Sequence, residues 1–491
     1  MLIALMGAVW QCQGAAAPVA AATFDASVVI DVAGTVSAVN RAILGVGMNR
    51  GPFDPDFLAL WDGVLDGTSA RIWVMPPKSG EPIRRKLLET SLQALRAACQ
   101  LGIKERNGFS AGVPKIGRLA RYRSAADNNL DKVHQPETVA QLVGAVNAGN
   151  DCPVTGWEVW NEPQFAKKGS WPAEDMAQYA VDVAKAIHRL QPTLRIGVPL
   201  YERDMAWNRR LLAKLNELGP EQIAFFSFHP YWFDWNVPET VARREASRAV
   251  GPSAMRDLAV GEKLALIKQY GGGRWSASAT EWNIHPKGLN SPAYKLRMDR
   301  FEASTDMVAA LHLSEMIGVF ADKGLGSAQF FDFRAEEDGH FHLAYRDAGT
   351  YRLNPTGMAL RLYGRYFRGE RLPAKAQTPS TQAYGYGGGS ANAPLVFAQA
   401  VRHTDLRQFA LFVGNRDPAR SASIAVRWDR FPAGDWTFKV TTLRAPLSDL
   451  RAAATSEHDL MAGATADGAR QLALDVPANG LTVVIARARG E

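Results

Sequence analysis

Eight short apolar runs, separated by helical or loop-rich stretches, recur through the first two-thirds of the chain and constrain its fold more than any other feature. They are "AILGVGMN" (42–49), "SARIWV" (69–74), "IKERNGFS" (103–110), "TGWEVWN" (155–161), "LRIGVPL" (194–200), "IAFFSFH" (223–229), "SASATEWN" (276–283) and "SAQFFDF" (327–333). Their length and their β-branched and aromatic content suit buried strands. Between them, segments such as "EDMAQYAVDVAKAIHRL" (174–190) and "FEASTDMVAALHLSEMIGVFAD" (301–322) carry apolar residues three to four apart, the spacing of one helix face. Strands that alternate with helices form a parallel sheet, and eight such units predict an α/β chain with a (β/α)8 barrel over 40–372.

From about residue 375 the pattern changes. "PLVFAQAVR", "RQFALFVGN", "SASIAVRW", "WTFKVTTL" and "GLTVVIARAR" are short runs divided by Gly, Pro and Asp turns, and they predict a β-sandwich over 375–491. The run "SVVIDVAGTVSAV" (27–39) precedes the first barrel strand, so strands from 24–39 are expected to complete that sandwich from the other end of the chain. A length of 491 residues accommodates both units.

Several function classes fall away on composition. No segment approaches the roughly 20 apolar residues of a membrane span. The formal charge of +7 comes from dispersed arginines, whereas a nucleic-acid binder clusters them. "IRRKLL" (83–88) and "RYRS" (121–124) read as solvated faces, and charge alone does not select an acidic polysaccharide. The Gly-rich "GYGGGSANA" (385–393) has no helix after it and is no phosphate cradle, so no cofactor is expected.

The opening "MLIALMGAVWQCQGAAAPVAAATFD" joins an apolar run to small residues near Ala20 to Ala22, which reads as a signal peptide over 1–22, although no Lys or Arg precedes Leu2. A secreted or periplasmic protein is expected. Removing that segment leaves Cys99 and Cys152, one ahead of the third strand and one ahead of the fourth. Neighbouring parallel strands lie about 4.8 Å apart, within reach of a disulfide at the bottom of the barrel; two separated buried thiols are the other arrangement.

Barrels of this class carry their chemistry at the C-terminal ends of strands. Glu162 stands there after the fourth run, where Pro163 stops the ladder, and Glu281 stands near the end of the seventh. Such a pair can cleave a glycosidic bond, one carboxylic acid protonating the leaving oxygen while the other carboxylate attacks or activates water. The acid is then expected to have a raised pKa, from an apolar wall and from the other carboxylate. Glu158 shares the strand with Glu162 and would point the same way, but its mid-strand position suits a polar layer inside the barrel. Trp160, Trp171, Trp207, Trp232, Trp235 and Trp282 fall at or just after strand ends, where indoles could stack on sugar rings, although core packing accounts for part of them. "DGHFHLAYRD" (338–347) reads as a substrate-binding loop, because its His-x-His spacing has no third defined ligand for a metal.

"WEVWNEP", with "TEWN" about 120 residues later, resembles clan A of the glycoside hydrolases. With "FSFHPY" on the sixth strand and a terminal sandwich, the chain is most similar to glycoside hydrolase family 39, the group of β-xylosidases, iduronidases and bacterial exopolysaccharide hydrolases. The resemblance spans 40 to about 370 and implies a retaining mechanism with Glu162 as acid/base and Glu281 as nucleophile. It also implies that Asn161 holds the sugar 2-hydroxyl, that His229 and Tyr231 line the mouth, and that Arg71 lies near the nucleophile. His229, before Pro-Tyr, could equally cap a strand end. The sugar-contacting residue of "KERNGFSAGVPKIG" is not placed by the resemblance. A secreted hydrolase of an oligo- or polysaccharide, such as an exopolysaccharide or a xylan-like glycan, is the leading expectation. An exo-acting β-xylosidase-type enzyme and a non-catalytic carbohydrate-binding protein on the same barrel are the alternatives.

Overall fold

The structure is a computed structural model that describes residues 22–49, 51–78, 81–110, 122, 130–163, 171–233, 247–285, 305–335, 341–385, 389–405, 407–445, 454–464 and 468–489. The expected signal peptide, all but Ala22, lies outside the described residues, as do Trp235 and most of the stretch after the third strand.

Eight parallel strands close into a barrel: β1 (Gly45–Met48), β2 (Ser69–Val74), β3 (Glu105–Ser110), β4 (Gly156–Glu158), β5 (Arg195–Pro199), β6 (Phe225–Phe228), β7 (Ser276–Trp282) and β8 (Ser327–Phe330). Each lies inside one of the eight apolar runs. Closure is made by β8, which pairs with β7 and with β1, placing Gln329 opposite Gly45 and Phe330 opposite Val46. A closed sheet leaves no unpaired edge, so polar side chains inside it must satisfy one another. Arg71, Glu158 and Ser227, from β2, β4 and β6, form such a layer together with Thr280 of β7.

The outer helices carry ordinary end signals. Ala173–Leu190 has Glu174 and Asp175 in its first turn and His188 and Arg189 in its last, complementing the helix dipole. The long helix before β8, Met307–Lys323, begins at Asp306, whose side chain accepts from the Ala309 N–H at 2.7 Å, and it ends at Gly324 with φ 68°. Among the described residues no helix is long and apolar enough to cross a membrane.

The second unit is two sheets around a shared core. Thr23–Asp31 runs parallel to Ser421–Asp429 and antiparallel to Ala374–Gln377, so the N-terminal strand lies inside the C-terminal domain. Val28 and Ile30 pack there with Leu411 and Val484 of the facing seven-stranded sheet. Cys99, at the end of helix Glu89–Gln100, is joined to Cys152 by a disulfide with Cα atoms 6.0 Å apart.

Barrel and sandwich meet through side chains. Tyr363 stacks on Phe412 at 4.2 Å. Gln399 donates to the Ser314 carbonyl at 2.9 Å, passing so close to Gly318 that a Cβ there would meet its amide nitrogen at 2.3 Å. Arg416 reaches from the sandwich into the barrel and donates to Glu315, to the Pro394 carbonyl and, at 3.2 Å, to Ser253. Both members of the Arg416–Glu315 pair are buried. Removing one partner of a buried pair strands the other charge, at a cost of about 3–5 kcal/mol. Arg416→Ala is therefore expected to lower Tm sharply in thermal unfolding, and the double replacement Arg416→Met/Glu315→Leu to recover most of the loss.

Candidate active site

The site is built at the C-terminal mouth of the barrel. The strand conformation of β4 stops at Glu158, and the chain continues to Glu162, whose φ is 46°. A non-glycine residue there costs about 1–2 kcal/mol, and the proline that follows restricts it further. Such outliers gather where the surroundings hold a side chain for use. This turn takes Glu162 out of the strand's alternation, so Glu158 stays in the barrel while Glu162 reaches the mouth with its side chain 27% exposed.

Arg71, fully buried on β2, ties the strand ends together. Its Nε donates to Glu158 at 2.7 Å, one terminal nitrogen donates to Glu281, and the other donates to the Asn161 side-chain oxygen at 2.7 Å. The guanidinium lies 3.7 Å from the centre of the Phe109 ring, which covers its face. Ser227 and Thr280 donate to the other oxygen of Glu158, the latter at 3.1 Å. Glu158 is thus the support of Arg71.

Glu281 is 8% exposed. Beside the Arg71 contact it accepts from the Tyr231 hydroxyl at 2.9 Å. Burial, and then the charges of Glu281 and Glu162, push the Tyr231 pKa well above its ordinary value, so the phenol remains a donor. His229 Nδ1 lies 3.0 Å from Glu162 and 3.6 Å from Glu281, while its Nε2 lies 3.2 Å from the Thr280 hydroxyl. Burial alone would lower the His229 pKa, but the charge of Glu281 and the hydrogen bond and charge of Glu162 outweigh it and push it up to about 9.

That contact reverses one expectation. Burial does raise the Glu162 pKa, but the hydrogen bond and charge of His229, with the charge of Arg71, outweigh it, and the carboxyl is held below its ordinary range. Both shifts favour the form in which the pair carries its proton on His229 rather than on the glutamate. One atom from each of Glu162, His229 and Glu281 lies within 4.8 Å of the others, a spacing that could also hold a divalent ion. Arg71 and Tyr231, both donating to Glu281, account for its oxygens without one.

The structure brings Arg71, Asn161, Glu162, His229, Tyr231 and Glu281 together, and it separates the described candidate tryptophans from them; Trp235 lies outside the described residues. Trp232 is fully buried, its indole donating to the Tyr384 carbonyl at 2.8 Å. Trp282 packs edge-on between Phe320 and Phe330. Trp160 and Trp171 pack together, and Trp207 stacks on Tyr201. On β7 the register shifts between Ala279 and Trp282, so Thr280 and Glu281 both turn to the barrel interior while Trp282 packs outward against Phe320 of helix Met307–Lys323. The aromatic residues near Glu281 are instead Tyr231, Phe233, His285, Phe331 and Phe341, with ring centres 5.2–6.5 Å apart. Of the expected substrate loop, residues 341–347 are described: His342 is buried and Phe341 joins this wall. Sequence reading missed Glu202, just past β5, although the strand-end rule that found Glu162 and Glu281 also reaches "PLYE".

No family model matches the chain, and no curated protein matches its sequence. Solved structures do. A family 51 arabinofuranosidase from Xanthomonas axonopodis pv. citri superposes with a TM-score of 0.65 at 17% identity, over 94% of this chain and 100% of that one. A family 44 xyloglucanase from Paenibacillus polymyxa gives 0.64 at 10% identity, over 95% and 100%. A glucosidase from Croceicoccus marinus gives 0.63 at 14% identity, with the same coverage. The chain shares its fold with glycoside hydrolases. At these identities the likeness establishes a (β/α)8 barrel with an added β domain.

Proposed function

We propose that the protein is a retaining glycoside hydrolase of clan A, with Glu281 as nucleophile and Glu162 as acid/base. The observation that carries this reading is the closeness of the two carboxylates, whose nearest oxygens lie within 4.8 Å. Retaining enzymes keep their carboxyl groups about 5–5.5 Å apart, whereas inverting ones leave room for a water. The fold shared with families 51 and 44 supports the clan, while family 39 rests on the sequence motifs alone.

In the first step a Glu281 oxygen attacks the anomeric carbon and the glycosidic C–O bond breaks, the departing oxygen taking a proton from Glu162. That proton comes from His229 Nδ1, 3.0 Å away. Once Glu281 is esterified its charge is gone, and with it the largest influence that raises the His229 pKa. In the second step Glu162 takes a proton from water as the oxygen of that water displaces Glu281. Activity on the alkaline side therefore follows loss of the shared proton, near pH 9. His229→Asn leaves Glu162 to hold the proton alone, and the alkaline limb of kcat/KM is expected to move to lower pH by roughly one unit or more. An unchanged limb would assign the proton elsewhere.

The substrate is proposed to be an oligo- or polysaccharide whose apolar sugar faces lie against Phe331, Phe341 and Phe233. The buried tryptophans withdraw one argument for a long glycan, so the decisive assay spans both sizes: aryl arabinofuranosides, xylosides and glucosides beside xylan, xyloglucan and exopolysaccharides, read by aglycone or reducing-end release. No turnover of any of them would leave a carbohydrate-binding protein. Export is part of the proposal, supported by the apolar N-terminal run and by the Cys99–Cys152 disulfide, a bond of oxidising compartments.

A further inference from the structure

Behind the His229–Glu162 pair stands a second acid–base pair that the two-step reaction does not use. Glu202 lies on the loop after β5, and its Oε1 accepts a short hydrogen bond from the backbone N–H of His229. Its other carboxylate oxygen is 3.6 Å from Lys263 Nζ. Lys263 belongs to helix Glu262–Gly271 and is itself buried, donating to the backbone carbonyls of Glu202 at 2.9 Å and Ala259 at 3.2 Å. A lysine on an outer helix thus reaches inward to hold one carboxylate, and that carboxylate holds the backbone of the histidine in the site.

We propose that Glu202 is a positioning residue: it fixes the backbone of His229 and, through its negative charge, determines which member of the His229–Glu162 pair carries the proton. The inference rests on the acid/base reading of Glu162. Among the described residues the titratable groups around the pair are Arg71 from β2, Glu158 from β4, Glu281 from β7, Tyr231 two residues past His229, and Glu202 with Lys263. Arg203, beside Glu202 in sequence, turns to the Phe233 ring at 5.3 Å. Among these, Glu202 is the carboxylate bonded to the His229 main chain. Burial holds the Glu202 pKa above its ordinary value, while the charge of Lys263 and then that of His229 pull it down, and the attraction between carboxylate and imidazolium is mutual. Neutralising Glu202 therefore removes support for the imidazolium and leaves the Lys263 cation opposing it. Both changes favour loss of the proton.

Glu202→Gln keeps an oxygen to accept the His229 N–H and removes only the charge. The first measurement is the titration of the His229 imidazole by 15N NMR in the full protein, assigned by the signal missing from His229→Gln. The His229 midpoint is expected to fall by about 0.5–1 pH unit in Glu202→Gln. The second is the pH profile of kcat/KM, whose alkaline limb should fall with it while KM at neutral pH stays within about twofold. Glu202→Ala, which loses acceptor and charge together, should shift the midpoint at least as far and also lower Tm. A His229 midpoint unmoved in Glu202→Gln would overturn the proposal, and a shift confined to Glu202→Ala would reduce Glu202 to a structural tie. If the wild type cleaves no glycoside, the hydrolase reading fails, and the NMR titration still decides what Glu202 does to His229.

Discussion

Glu281→Ala is expected to abolish turnover of every substrate, activated aryl glycosides included, with kcat reduced at least about 10⁴-fold, the scale on which loss of a nucleophile is felt. Among the described residues the neighbouring carboxylates are already committed. Glu158 is committed to Arg71, Ser227 and Thr280 below the mouth, and Glu162 faces His229. The fold should tolerate the change, because Arg71 keeps Glu158 and Asn161 as partners, so an unchanged Tm would separate chemistry from unfolding. Azide placed in the vacated space would make a single displacement and give an inverted glycosyl azide. Hydrolysis by Glu281→Ala within about tenfold of the wild-type rate would overturn the nucleophile assignment.

Glu162→Ala should behave differently, since an acid is needed only when the leaving oxygen is basic. For a dinitrophenyl glycoside the first step should survive, whereas for an alkyl glycoside or a polysaccharide kcat/KM should fall by about 10²–10⁴, the usual worth of general acid catalysis. The second step loses its base for every substrate, so the glycosylated Glu281 should accumulate as a covalent adduct visible by mass spectrometry. Azide needs no deprotonation and should restore turnover, giving a glycosyl azide of retained configuration. An inverted product would place Glu162 in another role. Loss of Glu162 also removes the hydrogen-bonded carboxylate of His229, so the imidazole should titrate lower in this variant, by the same reasoning that raises it in the intact site.

Both experiments depend on a turn that sequence pattern describes poorly. The run "TGWEVWN" suggests a strand to residue 161, but the regular strand ends at Glu158, and the left-handed conformation of Glu162 is what aims its side chain. Alternation would have placed Glu158 and Glu162 alike; the turn gives one to the polar interior and the other to the mouth. The outward packing of Trp282 follows from a register shift in β7 between Ala279 and Trp282, which a period of two counted from the inward Thr280 would not give. Position along a strand suggested sugar-stacking indoles, and facing contradicted it.

By itself the sequence determined the eight strands, the change to β structure after residue 375 and the two strand-end glutamates, and it left two arrangements for Cys99 and Cys152. These features are local: each is written in the period of apolar residues or in a short motif, and barrel closure fixes the rest of the topology. Only the tertiary structure decided who touches whom in the site. Arg71, Glu158, Asn161, His229, Tyr231 and Glu281 come from β2, β4, β6, β7 and the loops after them, and Glu202 is held by Lys263 from a separate helix. The resting charge of Glu162 could not be read from its motif for the same reason. It depends on an imidazole 67 residues away in the chain and 3.0 Å away in space, and electrostatic energy follows the second distance, not the first.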